Sequence, residues 1–184
     1  CLVGSEMCIR DRQMRDVLQF LPGVFDQKIR KIVMNKSYRN TMEIARYAEK
    51  LTGVKDVELL KRHGKEVVEE QFQTEDAVLD EILSKAKLGE DEYETAAIIT
   101  MTEAEASTLY QILKARGEEV HYIDRNSSVF KKGLTVTTFY LAKGLEFDQV
   151  FGVFQDAGNP MLNQAKYICA TRALHELYMY QITE

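Results

Sequence analysis

The sequence feature that most constrains the fold is a regular alternation of strand-like and helix-like segments after residue 31. Short runs of β-branched and aromatic residues alternate with amphipathic segments of about 10 to 15 residues. Successive strands joined through helices become parallel neighbours in one sheet, which is covered by helices on both faces. The sequence therefore predicts an α/β domain with a mainly parallel sheet in three layers.

The individual strands are predicted from composition. Runs rich in valine, isoleucine, threonine and aromatic residues fit the half-buried surface of a pleated sheet. The predicted strands are residues 32–34, 67–72, 96–101, 120–123, 134–139, 149–154 and 177–182.

Helices are predicted from capping residues at their starts and glycines at their ends. A short polar side chain can accept a hydrogen bond from a free N–H in the first turn, and a glycine readily adopts the left-handed conformation that ends a helix. The predicted helices run from Asn40, paired with Glu43, to Gly53; from Thr74 to near Gly89; from Thr102, paired with Glu105, to Gly117; and over residues 162–174.

The chain is expected to contain one domain and two short segments before it. Residues 1–12 are set apart because residues 2–11 resemble a translated sequencing adaptor. Residues 13–30 are expected to be the tail of a connection from a preceding domain. Residues 31–184 are expected to form the domain, since 184 residues with 45% hydrophobic content can bury one core. Outside the first segment the only cysteine is Cys169, which we expect to be buried in that core.

Charge and hydropathy limit the classes of protein to consider. Lys and Arg total 24 against 29 Asp and Glu, for a net charge of -5, so any nucleic-acid contact must be local. No apolar run reaches the roughly 18 residues that a membrane span requires, and a cytoplasmic protein is expected.

The mixed charges of DVELLKRHGKEVVEE, residues 56–70, are interpreted as a solvated face. His63, His121 and His175 share no metal-ligand spacing with Cys169, and no metal site is predicted.

Two sequence blocks contain connections between predicted elements. In NKSYRNTMEI, residues 35–44, Tyr38 and Arg39 place a ring beside a cation, which could stack a base and hold a phosphate. A surface turn that leads into a helix is the alternative. In VTTFYLAKGLEFDQVF, residues 136–151, Lys143 and Gly144 fall on a turn, with Glu146 just beyond. Glycine there lets a ligand approach the backbone; a hairpin turn with solvated charges is the alternative.

A third block, KYICATRALHELYMY at residues 166–180, places Thr171 and Arg172 on an otherwise apolar helix before the last strand. A guanidinium among apolar side chains must find an anion or extend to solvent. Because functional loops in parallel sheets lie beyond the carboxyl ends of the strands, all three blocks are expected there.

In this order the three blocks resemble motifs IV, V and VI of UvrD/Rep-type superfamily 1 helicases, with AKGLEFD and TRALHEL as the diagnostic strings. The resemblance covers the chain from about residue 17 to its end. It implies a RecA-like (P-loop NTPase-type) domain, the second motor domain of such a protein. The compact second diagnostic string, TRALHEL at residues 171–177, together with AIITMTEAEASTLYQIL at residues 97–113, is most similar to HelD-type proteins, which remodel bacterial RNA polymerase.

The resemblance also implies roles toward ATP. Tyr38 would stack on the adenine, while Arg39 and Arg172 would act as arginine fingers on the γ-phosphate. The other implied nucleotide contacts are Lys143, Gly144 and Glu146, of which the glutamate matches a ribose-contacting position.

Two further positions are implied to lie near nucleic acid. Thr138 corresponds to a motif V position close to the nucleic-acid backbone. Tyr140 stands where typical members have histidine. This departure leaves open whether ATP is coupled to a translocating strand.

The sequence contains neither a GxxxxGK[ST] string nor an acidic Mg²⁺-holding motif before these blocks. The resemblance therefore implies that ATP and Mg²⁺ are bound mainly by a first RecA-like domain outside this sequence, and that this chain alone does not hydrolyse ATP. Three functions remain open. They are a HelD-like ATPase acting on bacterial RNA polymerase, a DNA-translocating UvrD/Rep-type helicase, and a non-catalytic interaction domain.

Overall fold

A six-stranded, fully parallel sheet lies at the centre of the fold. The computed structural model describes residues 36–37, 39–53, 58–59, 61–89, 93–125, 127, 131–155 and 157–183, with the backbone alone at 36–37 and 58–59. Four predictions lie outside this part: the strand at residues 32–34, the segments 1–12 and 13–30, and the nucleotide contact Tyr38. Among the described helices, none combines the length and the apolar character needed to cross a bilayer.

The described elements alternate as the sequence predicts. In chain order they are β1 (Lys36–Ser37), α1 (Met42–Thr52), β2 (Glu58–Leu59), β3 (Val68–Phe72), α2 (Glu75–Lys85), β4 (Thr95–Thr100), α3 (Glu103–Ala115), β5 (Val120–Tyr122), β6 (Gly133–Thr138), β7 (Phe147–Phe154), α4 (Leu162–Arg172) and β8 (Ala173–Ile182). The sheet order is β3-β8-β7-β4-β6-β5, and every neighbouring pair is parallel. The predicted α/β class is confirmed. A separate parallel pair of β1 and β2 was not predicted.

Helices cover both faces of the sheet, which makes three layers. Strand β4 is buried along its whole length because it lies in the middle of the sheet. Its side chains alternate between the faces: Ala97 and Ile99 pack with α1 and α4, whereas Ala96 and Ile98 pack with α2 and α3. Each buried isoleucine contributes about 2 kcal/mol. Cys169 of α4 is fully buried, as predicted, and burial raises the pKa of its thiol.

Two of the predicted helix starts are confirmed. Thr102 accepts a hydrogen bond from the N–H of Glu105, whose carboxylate accepts one from the N–H of Thr102, at 3.2 and 2.8 Å. Thr74 accepts from the N–H of Ala77 at 3.2 Å. Each cap satisfies an N–H that has no partner within its helix.

The predicted cap of the first helix is wrong. Thr41, not Asn40, is the N-cap of α1, and its hydroxyl accepts from the N–H of Ile44. Both residues of the predicted box have other partners. Glu43 binds groups of the segment that follows β2, and Asn40 reaches the end of α4. The predicted end at Gly53 is confirmed, with φ at 69°.

The boundary between α4 and β8 also differs from the prediction. The helix ends at Arg172 rather than at 174, and the strand begins at Ala173 rather than at 177. Ala173 has extended backbone angles, φ -80° and ψ 128°, and pairs with Phe147, the first residue of β7. The chain therefore passes from helix to strand without a loop, and the first strand residue is already paired with β7.

Residues 139–146 form a crossover between β6 and β7, which lie on opposite sides of β4. The N–H of Phe139 donates to Thr100 at one end of β4, at 3.0 Å. The N–H of Thr95 at the other end donates to the Asp148 carboxylate, also at 3.0 Å. The segment thus runs the length of β4, from the carboxyl edge of the sheet back to its amino edge. The alternative of a hairpin turn is wrong.

Candidate functional site

Residues from all three sequence blocks meet at the amino edge of the sheet. Glu146 and Arg172 immediately precede β7 and β8, whose first residues pair with each other. Arg39 reaches the same place from the segment before α1. We call Arg39, Gly144, Glu146 and Arg172 the amino-edge cluster. The expectation that these residues lie at the carboxyl ends of strands is wrong, because the crossover and α4 both return the chain to the amino edge.

Arg39 and Glu146 contact each other directly. The distance from Nε of Arg39 to Oε1 of Glu146 is 2.7 Å, and the two side chains are 45% and 42% exposed. An ion pair this exposed contributes between about 0 and 1 kcal/mol. An anionic ligand could therefore take the place of the carboxylate without a large loss of stability.

Arg172 is held inside the domain. The residue is only 5% exposed, so its side chain does not extend to solvent. Its Nη1 donates to the carbonyl of Leu145 at 3.1 Å, and its Nη2 to the hydroxyl of Thr171 at 3.4 Å. Since Leu145 lies between Gly144 and Glu146, this guanidinium binds the same turn that carries two other predicted nucleotide contacts.

Gly144 gives that turn its shape. Its φ of 89° lies in the region that side chains rarely adopt. No atom lies within 4 Å of a Cβ built at this position. Glycine is therefore required for its backbone angle and not for lack of space. Lys143, the residue before it, is half-buried.

The segment after β2 fastens the amino-edge cluster to the domain. We call residues 61–67 the strap. Arg62 donates to the carbonyl of Arg39 at 3.3 Å and contacts Nδ1 of His175 at 2.7 Å. His63 lies 2.9 Å from the carboxylate of Glu43, which also accepts from the N–H of Gly64. The hydrogen bond from His63, with those from backbone N–H groups, lowers the pKa of Glu43 to about 2.

A buried carboxylate holds the far side of the strap. Glu176 of β8 is 2% exposed. Its oxygens contact the ammonium groups of Lys65 and Lys87 and accept from polar groups of Tyr93, Gln149 and Tyr178. Burial alone raises the pKa of Glu176, but the bonds from Lys65, Tyr178 and Gln149 outweigh it and hold the pKa at about 2.

Lys61, His63, Lys65 and Glu66 of the strap are exposed, which agrees with the interpretation of this segment as a solvated face. The side chains of His63 and Lys65 are 70% and 54% exposed, yet each has a buried acidic partner. Those partners lie on α1 and β8, which no local pattern in the strap could indicate.

The two residues predicted to lie near nucleic acid are at the opposite edge of the sheet. Thr138 is the last residue of β6 and is 2% exposed. Tyr140 is 52% exposed, and its hydroxyl contacts the sulfur of Met161 at the start of α4, 3.5 Å away. A six-residue strand such as β6 spans about 20 Å. The predicted nucleotide and nucleic-acid residues are thus separated by roughly the length of the sheet.

One of the predicted nucleotide contacts cannot be placed. The side chain of Tyr38 lies outside the described part. Within that part, no cluster of three or more His, Cys, Asp or Glu side chains is arranged to hold a metal ion. The cluster instead offers two guanidinium groups, which suit phosphate.

The fully parallel sheet and its two helical layers define a RecA-like α/β domain. The chain is similar to the solved C-terminal domain of a possible DNA helicase from Lactobacillus plantarum WCFS1. The two share 28% identity over 79% of this chain and 88% of that one, with a TM-score of 0.57. Nothing matches among protein-family models or curated proteins.

Two arterivirus structures are more distant. Nonstructural protein 10, a helicase, shares 14% identity over 63% of this chain and 27% of that one, with a TM-score of 0.42. Its complex with DNA shares 12% identity over 63% and 28% of the chains, with a TM-score of 0.41. The similarity to a helicase C-terminal domain therefore comes from the bacterial structure.

Proposed function

We propose that this chain is the second RecA-like motor domain of an ATP-dependent superfamily 1 helicase-like protein. In this proposal, Arg39 and Arg172 act as arginine fingers on ATP held by a P-loop domain outside this sequence. The main support is the meeting of three separate motifs at one edge. Arg39 pairs with Glu146 at 2.7 Å, and Arg172 binds the adjoining carbonyl of Leu145 at 3.1 Å.

The chemistry of phosphoryl transfer suits two arginines. Negative charge on the transferring phosphoryl group is spread over three equatorial oxygens. A guanidinium is planar, always charged and able to donate to two oxygens at once. Its contribution is largest in a closed, water-poor cleft, which a second domain against the amino edge would create. Mg²⁺ would be bound by that first domain.

The remaining nucleotide contacts are assigned to residues that lie close in sequence to Arg39 or Glu146. Tyr38 precedes Arg39 and would stack on the adenine, while Glu146 would accept from the ribose hydroxyls. Lys143 and Gly144 would form the turn beside them. The exposed Arg39–Glu146 pair would open when ATP enters, so that the arginine turns to phosphate and the carboxylate to the sugar.

The opposite edge would face nucleic acid. Tyr140 presents a ring that is 52% exposed, and aromatic rings stack on unpaired bases. Thr138 ends the preceding strand and would position the backbone near a phosphate. The crossover of residues 139–146 connects this edge to the amino-edge cluster.

Two narrower functions fit this arrangement. The string TRALHEL and the string of residues 97–113 favour a HelD-like ATPase that acts on bacterial RNA polymerase. The similarity to a possible DNA helicase favours a DNA-translocating protein of the UvrD/Rep type. We favour the first, in the cytoplasm, and a non-catalytic interaction domain is the remaining alternative.

The proposal is tested in the longer protein that contains this chain. Arg39→Ala and Arg172→Ala should each lower ATP turnover on the order of 10³-fold or more, and Arg→Lys should restore little. Arg116→Ala is the matched control, because Arg116 pairs with Asp76 and Asp80 on the other helical layer. Normal turnover in both folded alanine variants would exclude the arginine-finger role.

A second measurement separates the narrower functions. Turnover is compared with no addition, with single-stranded DNA, and with purified bacterial RNA polymerase. Stimulation by polymerase alone supports the HelD-like function, and stimulation by DNA alone supports the translocating helicase.

Tyr38→Ala should weaken ATP binding more than it slows turnover, because stacking on the base is the same in the ground and transition states.

A further inference from the structure

Asn40 connects the segment that carries Arg39 to the end of the helix that carries Arg172. Its side-chain Nδ2 lies 2.9 Å from the carbonyl oxygen of Ala170 and 2.6 Å from that of Ala173. Both partners are acceptors, so the amide nitrogen and not the amide oxygen must face them. One side chain thus donates two hydrogen bonds to carbonyls on either side of Arg172.

These two bonds act where a helix needs them. The last carbonyls of an α-helix have no partner within the helix. At Ala173 the chain leaves α4 and immediately begins β8, with no glycine to end the helix in the left-handed form. Asn40 supplies two donors at this junction, to carbonyls on either side of Arg172.

The other neighbours of Asn40 are also held in place. Thr41 caps α1, and Arg62 of the strap donates to the carbonyl of Arg39 at 3.3 Å. The backbone on both sides of Asn40 is therefore bonded to the domain. A side chain attached to such a backbone can determine the position of α4 relative to the Arg39 segment.

We infer that Asn40 is a positioning residue that holds Arg172 in register with Arg39, so that the two guanidinium groups act on one nucleotide as a unit. The inference rests on the function proposed above for the two arginines. Asn40 itself has no role toward ATP here; it acts through Arg172. Its amide is a required donor, and its loss leaves the arginine present but displaced.

The test compares three substitutions of Asn40 in the longer protein. Asn40→Ala removes both donors, and Asn40→Ser retains one short donor. Asn40→Asp keeps the shape but sets a carboxylate against two carbonyl oxygens. Because a displacement of about 1 Å can cost on the order of 10²-fold in rate, kcat should fall about 10²-fold in the alanine variant. The fall should be smaller for serine and at least as large for aspartate, while KM for ATP changes less than threefold.

Asn159→Ala is the matched control. Asn159 lies before the other end of α4, where its side-chain oxygen accepts from the N–H of Met161 at 2.9 Å. This variant also removes an asparagine bond from α4, but it should leave basal kcat within about twofold. An equal loss of kcat in both variants would mean that general loosening of α4 is responsible, and the positioning role would be wrong.

A double-mutant cycle with Arg172→Ala completes the test. If Asn40 acts through Arg172, the double variant should be no slower than Arg172→Ala alone. If instead the losses of kcat in the two single variants multiply in the double variant, Asn40 acts independently of Arg172 and the inference is overturned. If Arg172→Ala leaves turnover normal, the proposed function fails, and amide hydrogen exchange decides about Asn40. Faster exchange over residues 166–175 in Asn40→Ala, but not in Asn159→Ala, supports the positioning of α4, and unchanged exchange contradicts it.

Discussion

Arg39 and Glu146 lie 2.7 Å apart, Nε to Oε1, at the edge of a sheet that neither residue belongs to. Arg39 lies just before helix α1, and Glu146 lies just before strand β7. Two residues from distant motifs are thus direct neighbours in the folded domain. The strength of their contact decides how readily Arg39 can turn to a phosphate.

The coupling between these two residues should be weak. In urea denaturation, Arg39→Ala, Glu146→Ala and the double variant should give a coupling energy below about 1 kcal/mol, because both side chains are over two-fifths exposed. The coupling should decrease as salt increases. A coupling of about 3 kcal/mol or more would mean that Arg39 is locked to Glu146 and unavailable to ATP.

Glu176 should make stability depend on pH in the acid range. Its pKa is about 2 in the fold, below the ordinary value of 4.5. Its contribution is therefore complete above about pH 4.5 and is lost as pH falls toward 2. Glu176→Gln should lower the free energy of unfolding at pH 7 on the order of 2 kcal/mol, and this difference should shrink between about pH 5 and pH 3.

Urea denaturation at several pH values measures the effect. Glu94→Gln is the control, since Glu94 is 64% exposed and pairs with Lys132 on the surface. That change should cost less than about 1 kcal/mol. A constant difference between wild type and Glu176→Gln from pH 7 to pH 3 would contradict the lowered pKa.

Gly144→Ala should destabilise the domain through its backbone. A non-glycine residue at a φ of 89° costs about 1 to 2 kcal/mol, although a Cβ would have open space. Gly89→Ala is the matched control because its Cβ also meets nothing within 4 Å and its φ is not positive. Thermal denaturation should show a lower Tm for the first variant alone. Equal Tm values for both variants would argue against strain at Gly144.

Removal of residues 1–12 should leave the Tm unchanged to within about 1 °C. These residues lie outside the described part, and the prediction rests on their resemblance to a translated adaptor. A differential scanning calorimetry trace of the shortened chain is the measurement. A loss of several degrees would show that the segment contributes to the core.

Local signals in the sequence were sufficient to predict which segments form most of the helices and strands. The capping box of Thr102 and Glu105, the cap at Thr74 and the apolar strand β4 are all found where predicted. Each depends on groups within a few residues of one another, so spacing along the chain carries the information. The motif strings by themselves also indicate Arg39, Glu146 and Arg172 as candidate site residues.

Tertiary structure alone decided where those candidates lie and what holds them. The direction of the crossover and the strand order placed the amino-edge cluster at the edge opposite to the expected one. Asn40 could cap a helix by sequence, yet its amide binds carbonyls 130 and 133 residues further along the chain. Likewise, His63 and Lys65 pair with buried carboxylates on other elements. The same polar group can serve a local or a distant partner, and only the register of the packed strands and helices determines which partner is within about 3 Å.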